Sequence, residues 1–308
     1  MKLGIKGIEL QARGMDVLKG GKVLPFSIRT LGDMRPVLMD SSVKGKDSTI
    51  CYRMYRFPPA SNGIRLDLTV LAPEMLGTEY NKTYGHYHPL APSGQEYAEI
   101  YQVVSGKACM IFQKKDSSVA TAGTTASRPL VRLGRSDAVR QVDDVIAVEM
   151  EEGEAVIVPP GYGHTFTNRG KGILITADLM YAGPERDYSE YKKLHGAAYY
   201  DTPAGSTRSP LKGDRCSLSD ASKRIRGSSL GDDLLDGCRL TSVSEAMGGL
   251  VPNPAYGKLP RPRLLKAEAH GDIYDALLKN PAAFDFLIRP ELTSNACKQL
   301  GLRDIRKR

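Results

Sequence analysis

Histidine is scarce in this chain, five residues in 308, so any clustering of it carries information. No apolar run reaches the about 18 residues that a membrane-spanning helix needs, so no membrane partner is expected. The first residues, MKLGIKGIELQARGMD, are broken by charges and lack the apolar core of a secretory signal; a cytoplasmic location is expected. Cys51, Cys109, Cys216, Cys238 and Cys297 lie far apart with no CxxC pair. That excludes a zinc ribbon and reads as free thiols in a reducing compartment. There is no P-loop and no internal repeat. The net charge of +8 could signal nucleic acid, but basic residues are dispersed except at Lys223–Arg226 and near Arg303–Arg308. Short clusters of that kind are usually solvated, and no recognition-helix pattern accompanies them, so a nucleic-acid partner is not expected. A mildly basic surface favours an anionic metabolite.

What is present is a run of short strands. Leu66, Leu68 and Val70 alternate with Asp67, Thr69 and Leu71. Glu99–Val104 and Lys107–Gln113 predict two strands joined at Ser105-Gly106, and Ile146–Met150, Ala155–Val158 and Ile173–Leu179 predict three more. Glycine and proline punctuate them, which implies an antiparallel sandwich or barrel. The polar stretch Lys114–Asp144 reads as a long hairpin excursion. After Tyr200 the texture changes. Ser242–Glu245 has capping-box spacing, Asn280-Pro281 fits a helix start, and Thr293 or Ser294 could cap a last helix ending before Gly301. Pro252–Arg263 holds four prolines and predicts an extended arm. The expected division is residues 1–200, a β-domain with an N-terminal arm, and residues 201–308, an extension of loops and short helices.

Three of the five histidines fall inside two short motifs. One is Gly85-His86-Tyr87-His88, followed by Glu99-Ile100-Tyr101 and Gly106; the other runs from Gly153 through Pro159, Gly161 and His164 to Asn168. Imidazoles at i and i+2 of an extended strand point to one side. With His164 and a carboxylate they predict a three-histidine, one-carboxylate shell for a divalent transition metal. Glu99 is the candidate carboxylate, sharing its face with Tyr101; Glu96, three residues upstream, competes with it. His195 and His270 match no motif and read as surface or structural residues.

The second motif resembles the cupin pattern G-x5-P-x-G-x2-H-x3-N at every specified position. The first is looser, because ten residues separate His88 from Glu99. That longer gap, with Thr83-Tyr84-Gly85-His86-Tyr87-His88, Glu99-Ile100-Tyr101, the strand at Thr69 and the pair Asp187-Tyr188, resembles the cupin-type (archaeal-type) glucose-6-phosphate isomerases. The resemblance covers roughly Leu24 to Tyr188. Two departures stand out: the loop Pro89–Ala98 is longer than the family's, and Arg186 stands where the family has a histidine.

The resemblance implies a mainly β fold, the cupin jelly-roll barrel or double-stranded β-helix, with a C-terminal, partly helical extension. It implies one divalent metal, Fe2+ first and Zn, Mn, Ni or Co as alternatives, on His86, His88, Glu99 and His164, with Glu99 and His88 catalytic. The implied reaction interconverts glucose 6-phosphate and fructose 6-phosphate, by a cis-enediol or a hydride shift, in a homodimer. Thr69, Thr83, Gly85, Tyr181 and Tyr188 are the implied substrate contacts. Arg186 joins them because a guanidinium grips phosphate bidentately. For the threonines, plain β-propensity is an equal explanation. A cupin dioxygenase, or a non-catalytic sugar-phosphate-binding cupin, remains the alternative.

Overall fold

The structure is a computed structural model that describes residues 1–5, 10–116, 142–183, 185–204 and 249–307. Its strands in chain order are β1 (Gln11–Arg13), β2 (Asp16–Lys19), β3 (Lys22–Val23), β4 (Ser27–Thr30), β5 (Ile50–Arg56), β6 (Ile64–Leu71), β7 (Glu99–Ser105), β8 (Lys107–Lys115), β9 (Val142–Glu151), β10 (Glu154–Val158), β11 (Tyr162–Asn168), β12 (Leu174–Tyr181), β13 (Tyr199–Asp201), β14 (Leu250–Pro252), β15 (Arg263–Lys266) and β16 (Glu268–Ala269). The larger sheet has the order β16-β10-β7-β12-β6-β5-β4 and the smaller one β11-β8-β9-β15. Strands that are not consecutive in the chain, β7 with β10 and β7 with β12, pair across long connections, which gives the expected cupin jelly roll of two facing sheets.

Alternation along the strands divides the larger sheet into two different faces. Leu71, Val103, Val156 and Val158 join Met110, Phe112, Ile146 and Val148 of the smaller sheet in one core. Leu66, Leu68, Val70, Ile100, Ile157 and Ala177 belong to a second core on the opposite face. That core is closed by Ile273, Leu277, Phe284, Phe286 and Leu287 from the end of the chain and by Leu3, Leu10 and Val17 from its beginning. A side chain such as Phe284 or Phe286, buried from water, stabilises by about 1.5–3 kcal/mol. The C-terminal segment is therefore a structural wall of the barrel. The inward face of β6, meanwhile, is left with Asp67 and Thr69 opening on a cleft.

The predicted strands are all present within a few residues of their expected ends. The tail differs in detail. Besides helices it supplies β15, parallel to β9, and β16, antiparallel to β10. Both are too short, and follow too many prolines, to show alternation in the sequence. Asn280-Pro281 opens a 3-10 helix, Pro281–Leu287, and no α-helix. The last helix, Thr293–Gln299, has no side-chain cap, because its N-cap residue is Leu292; Thr293 is already helical and its hydroxyl donates backwards to the Pro290 carbonyl at 2.6 Å. The capping box at Ser242 lies outside the described residues, as do Cys216 and Cys238; Cys51, Cys109 and Cys297 are free thiols and buried. Among the described residues no helix is long and apolar enough to cross a membrane.

Candidate metal centre

His86 and His164 sit directly opposite each other. The extended segment before His88 forms one bridge with β11, His86 N–H to His164 O at 3.2 Å and His164 N–H to His86 O at 3.0 Å. Their rings lie 4.4 Å apart, and the His88 ring is 5.2 Å from each. Gly85 makes this approach feasible. Its φ is +82°, and a Cβ there would fall 2.3 Å from the Tyr191 ring. Glu99, the first residue of β7, brings its carboxylate under the imidazoles. The ligand atoms of His86, His88, Glu99 and His164 all lie within 4.8 Å of one another, and all four residues are buried. Glu99 is the carboxylate that stands with the three imidazoles. Glu96 lies in the loop before the strand, with one carboxylate oxygen buried and unpartnered.

The long loop Pro89–Ala98 has a clear local role. It folds back through Ala91 N–H to Gln95 O (2.7 Å) and Tyr97 N–H to Pro89 O (3.1 Å). This sets the Tyr97 carbonyl 2.8 Å from His88 Nδ1. A carbonyl only accepts, so Nδ1 donates a proton to it, and Nε2 lies 3.1 Å from Glu99 Oε2. Glu99 Oε2 is also 3.2 Å from His164 Nε2. Likewise Arg186 Nε donates to His86 Nε2 at 3.1 Å, which makes that nitrogen an acceptor. Distances of 3.1 and 3.2 Å suit neighbouring ligands on one ion at about 2.1 Å. His164 Nδ1 is buried with no partner. The donor set therefore fits a divalent transition metal.

Electrostatics points the same way. Burial holds His86 well below the usual histidine range, assisted by His164 and the Arg186 charge, so it stands neutral, the form that ligates. Burial likewise lowers His164, although Glu99 opposes it. For Glu99 burial pushes up, but hydrogen bonds from His164 and His88 and the charges of His88 and Arg186 outweigh it. The carboxyl is held well below its ordinary range.

His86 and His164 form part of one wall of a cleft, and the cleft holds most of the other candidates. Thr69, Thr83, Gly85, Arg186 and Tyr188 all line it. Thr83 is already engaged: its hydroxyl accepts from Phe166 N–H at 3.2 Å and meets the Thr165 hydroxyl at 3.1 Å. Arg186 is brought to the histidines and is surrounded by acids, with Nη2 at 3.4 Å from Glu99, 3.6 Å from Asp67 and 3.9 Å from Asp178. Tyr181 is not brought into the cleft. Strand alternation turns it away while Asp178 faces in, and it stacks on Tyr97 at 5.4 Å beside a separate small hollow. His195 and His270 stand apart, the first at φ +55° and the second bonded to Gly271 O at 2.6 Å.

Sequence reasoning missed Tyr52, Asp67, Tyr101 and Asp178 as cleft residues. A signal existed for Asp67 and Asp178. Each is a single acid inside an apolar strand, and they face each other in register across β6 and β12. Burial, then the charges of Glu99 and Asp67, push Asp178 well above the usual carboxylate range.

A model of the glucose-6-phosphate isomerase family matches residues 28–214. The chain is similar to the glucose-6-phosphate isomerase of Thermococcus onnurineus (strain NA1), 26% identical over 196 residues, 62% of this chain and 84% of that protein. It is similar to that of Thermococcus litoralis, 26% identical over 168 residues, 53% and 73%. Among solved structures, an oxalate oxidase in complex with the substrate analogue glycolate overlaps 45% of this chain and 55% of its own, at 14% identity and a TM-score of 0.30. An overlap that small adds nothing to the fold read from the strand order.

Proposed function

The chain belongs to the glucose-6-phosphate isomerase family, and from that premise we propose that it interconverts glucose 6-phosphate and fructose 6-phosphate with one divalent transition metal. The observation that carries the reading is the buried quartet of His86, His88, Glu99 and His164, with ligand atoms within 4.8 Å, two of which, His86 and His164, line a cleft with threonine, tyrosine and arginine. These four residues would hold the metal, Fe2+ first by its fit to imidazole and carboxylate donors, and the ion would supply Lewis-acid polarisation of the sugar carbonyl.

The chain's own groups do the rest. Tyr97's carbonyl fixes the His88 ring, and burial keeps His86 neutral. Glu99 is held ionised and is the base. It takes the C2 proton as the C2–H pair forms the C1–C2 double bond and O1 gains a proton, giving a cis-enediol. Returning a proton to C1 while O2 loses its own yields the ketose. Arg186 faces the developing charge from beside His86. A direct C2-to-C1 hydride shift is the second reading, favoured by one observation: Glu99 Oε2 already meets His88 and His164, and Oε1 meets Arg186. In deuterated water the enediol route places solvent deuterium at C1 of the ketose; the hydride route retains the substrate's hydrogen.

The direct test is a coupled assay in which fructose 6-phosphate is supplied and glucose 6-phosphate is oxidised by its dehydrogenase. Turnover that follows metal content supports the reading. Metal-loaded protein with no turnover overturns it and leaves the non-catalytic or dioxygenase cupin. The homodimer belongs to the same proposal and is checked by light scattering.

A further inference from the structure

The cleft needs a place for a dianionic phosphate, and its arginines are unequal candidates. Arg186 is ringed by Glu99, Asp67 and Asp178. Arg56, also lining the cleft, is paired with Asp67 at 3.8 Å. A guanidinium that already faces carboxylates gains little from a further anion, and those carboxylates repel it.

Arg29 differs. It lies on β4, the edge strand, directly opposite Tyr52 of β5, so the two side chains share a face. Tyr52 lines the cleft, as do Tyr84 and Tyr188. The Arg29 guanidinium lies 5.7 Å from the Tyr84 ring and 5.5 Å from the Tyr188 ring, and those two rings pack edge-on at 5.6 Å. It stands behind the tyrosines that line the cleft, packed on the Tyr84 and Tyr188 rings, and among the described residues it forms no ion pair. Its Nε is buried with no hydrogen-bond partner. A half-buried cation without a counter-ion, and with an unsatisfied donor, is a site an anion completes.

The spacing also fits. The His86 ring is 5.6 Å from the Tyr188 ring, and the Tyr188 ring is 5.5 Å from the guanidinium. Tyr188 thus bridges the metal-ligand end and the cation, over the reach of an extended six-carbon phosphate.

We propose that Arg29 recognises the phosphate of the substrate and sets the preference for phosphorylated over free sugar; the sugar's identity rests on the isomerase reading above, the anion site does not. The hydroxyls of Tyr52 and Tyr188 flank the guanidinium and supply further donors.

The test uses the full chain, metal-loaded, as wild type, Arg29→Gln and Arg29→Lys. Calorimetry with inorganic phosphate reads the site without turnover, and kinetics with fructose 6-phosphate read it in the reaction. Arg29→Gln should weaken phosphate binding and raise KM by about 10- to 100-fold, with kcat, bound metal and melting temperature near wild type. Arg29→Lys, which keeps the charge but loses the planar fork, should fall between. Phosphate affinity and KM unchanged in Arg29→Gln overturn the proposal. If Arg29→Gln does not fold, Arg29→Lys decides: weaker phosphate binding at an unchanged melting temperature supports it, and wild-type binding overturns it. A wild type that binds phosphate through Arg29 yet turns over no sugar phosphate sinks the isomerase reading and leaves this site standing. Turnover indifferent to Arg29 does the reverse.

Discussion

Two polar clusters are buried in this barrel, and they treat their donors and acceptors in opposite ways. Behind the smaller sheet, Asp201 accepts from Arg169 Nε at 2.8 Å and Nη2 at 2.7 Å and from the Thr167 hydroxyl, while Arg169 Nη1 reaches Glu149 at 2.8 Å. Nearby, Lys82 donates to Glu79 at 2.6 Å and to the Val37 carbonyl at 2.7 Å, and Met39 N–H satisfies the other Glu79 oxygen at 2.7 Å. Each charge there faces an opposite one. In the cleft, three carboxylates crowd one guanidinium, and His164 Nδ1 and Asp178 Oδ2 have no hydrogen-bond partner. A satisfied buried network rigidifies a fold, whereas an unsatisfied one persists only where function requires it. The first cluster is thus read as structural and the second as the working site.

The sharpest way to break that contrast is to remove the metal that the second cluster would hold. Chelation should reduce isomerase turnover by about 10³-fold or more, and Fe2+, Mn2+, Co2+, Ni2+ or Zn2+ should restore it. His86→Ala should lose metal and turnover together. Full activity in protein shown by elemental analysis to be metal-free would place the chemistry elsewhere. A smaller but opposite effect is expected from Asp201→Ala. It removes the buried carboxylate that pairs with Arg169, leaving that guanidinium with Glu149 alone, and should cost about 3 kcal/mol of stability, read as a lower urea midpoint. kcat/KM of the folded fraction should stay near wild type. A selective loss of turnover at unchanged stability would erase the distinction between the clusters.

Much of this arrangement is legible in the chain itself, for reasons that can be named. His86, His88 and His164 are found because a strand's two-residue period and a complete motif fix both their spacing and their common side. The barrel strands are found because one face of each is continuous apolar surface. Tyr181 misleads because one residue of register turns a strand side chain to the opposite face. Arg29 carries no local sign, since its meaning depends on Tyr84 and Tyr188, distant in sequence and brought to it only by the tertiary fold. The tail strands β15 and β16 escape because their pairing is dictated by the exposed edges of β9 and β10, a tertiary cause with no sequence period. Arg186 is found in place, but its acidic surroundings come from β6, β7 and β12 and alter what its charge is free to do.

The smallest expected effect tests how far the tail stays out of the chemistry. Tyr256, in the turn after β14, is fully packed; its hydroxyl donates to the Gly196 carbonyl at 2.8 Å and accepts from Gln113 Nε2 at 2.9 Å. Gln113 Nε2 also donates to the Tyr87 hydroxyl at 2.9 Å, and Gln113 Oε1 accepts from Ala198 N–H at 2.7 Å. The tail therefore grips the barrel behind Tyr87, which lies between His86 and His88, and beside Gly163, the residue before His164 and the cross-strand partner of Gln113. Tyr256→Phe keeps the ring and deletes the hydroxyl. Gln113 retains Tyr87 and Ala198, so the main loss is the partner of one buried carbonyl, about 1–2 kcal/mol. The urea midpoint should fall with its slope unchanged, and kcat, KM and metal content should hold. That outcome fits a tail, residues 201–308, that serves stability and assembly alone. If turnover falls while the midpoint does not, Tyr256 acts through Gln113 and Tyr87 on the aim of the histidines, and the tail belongs to the working site after all.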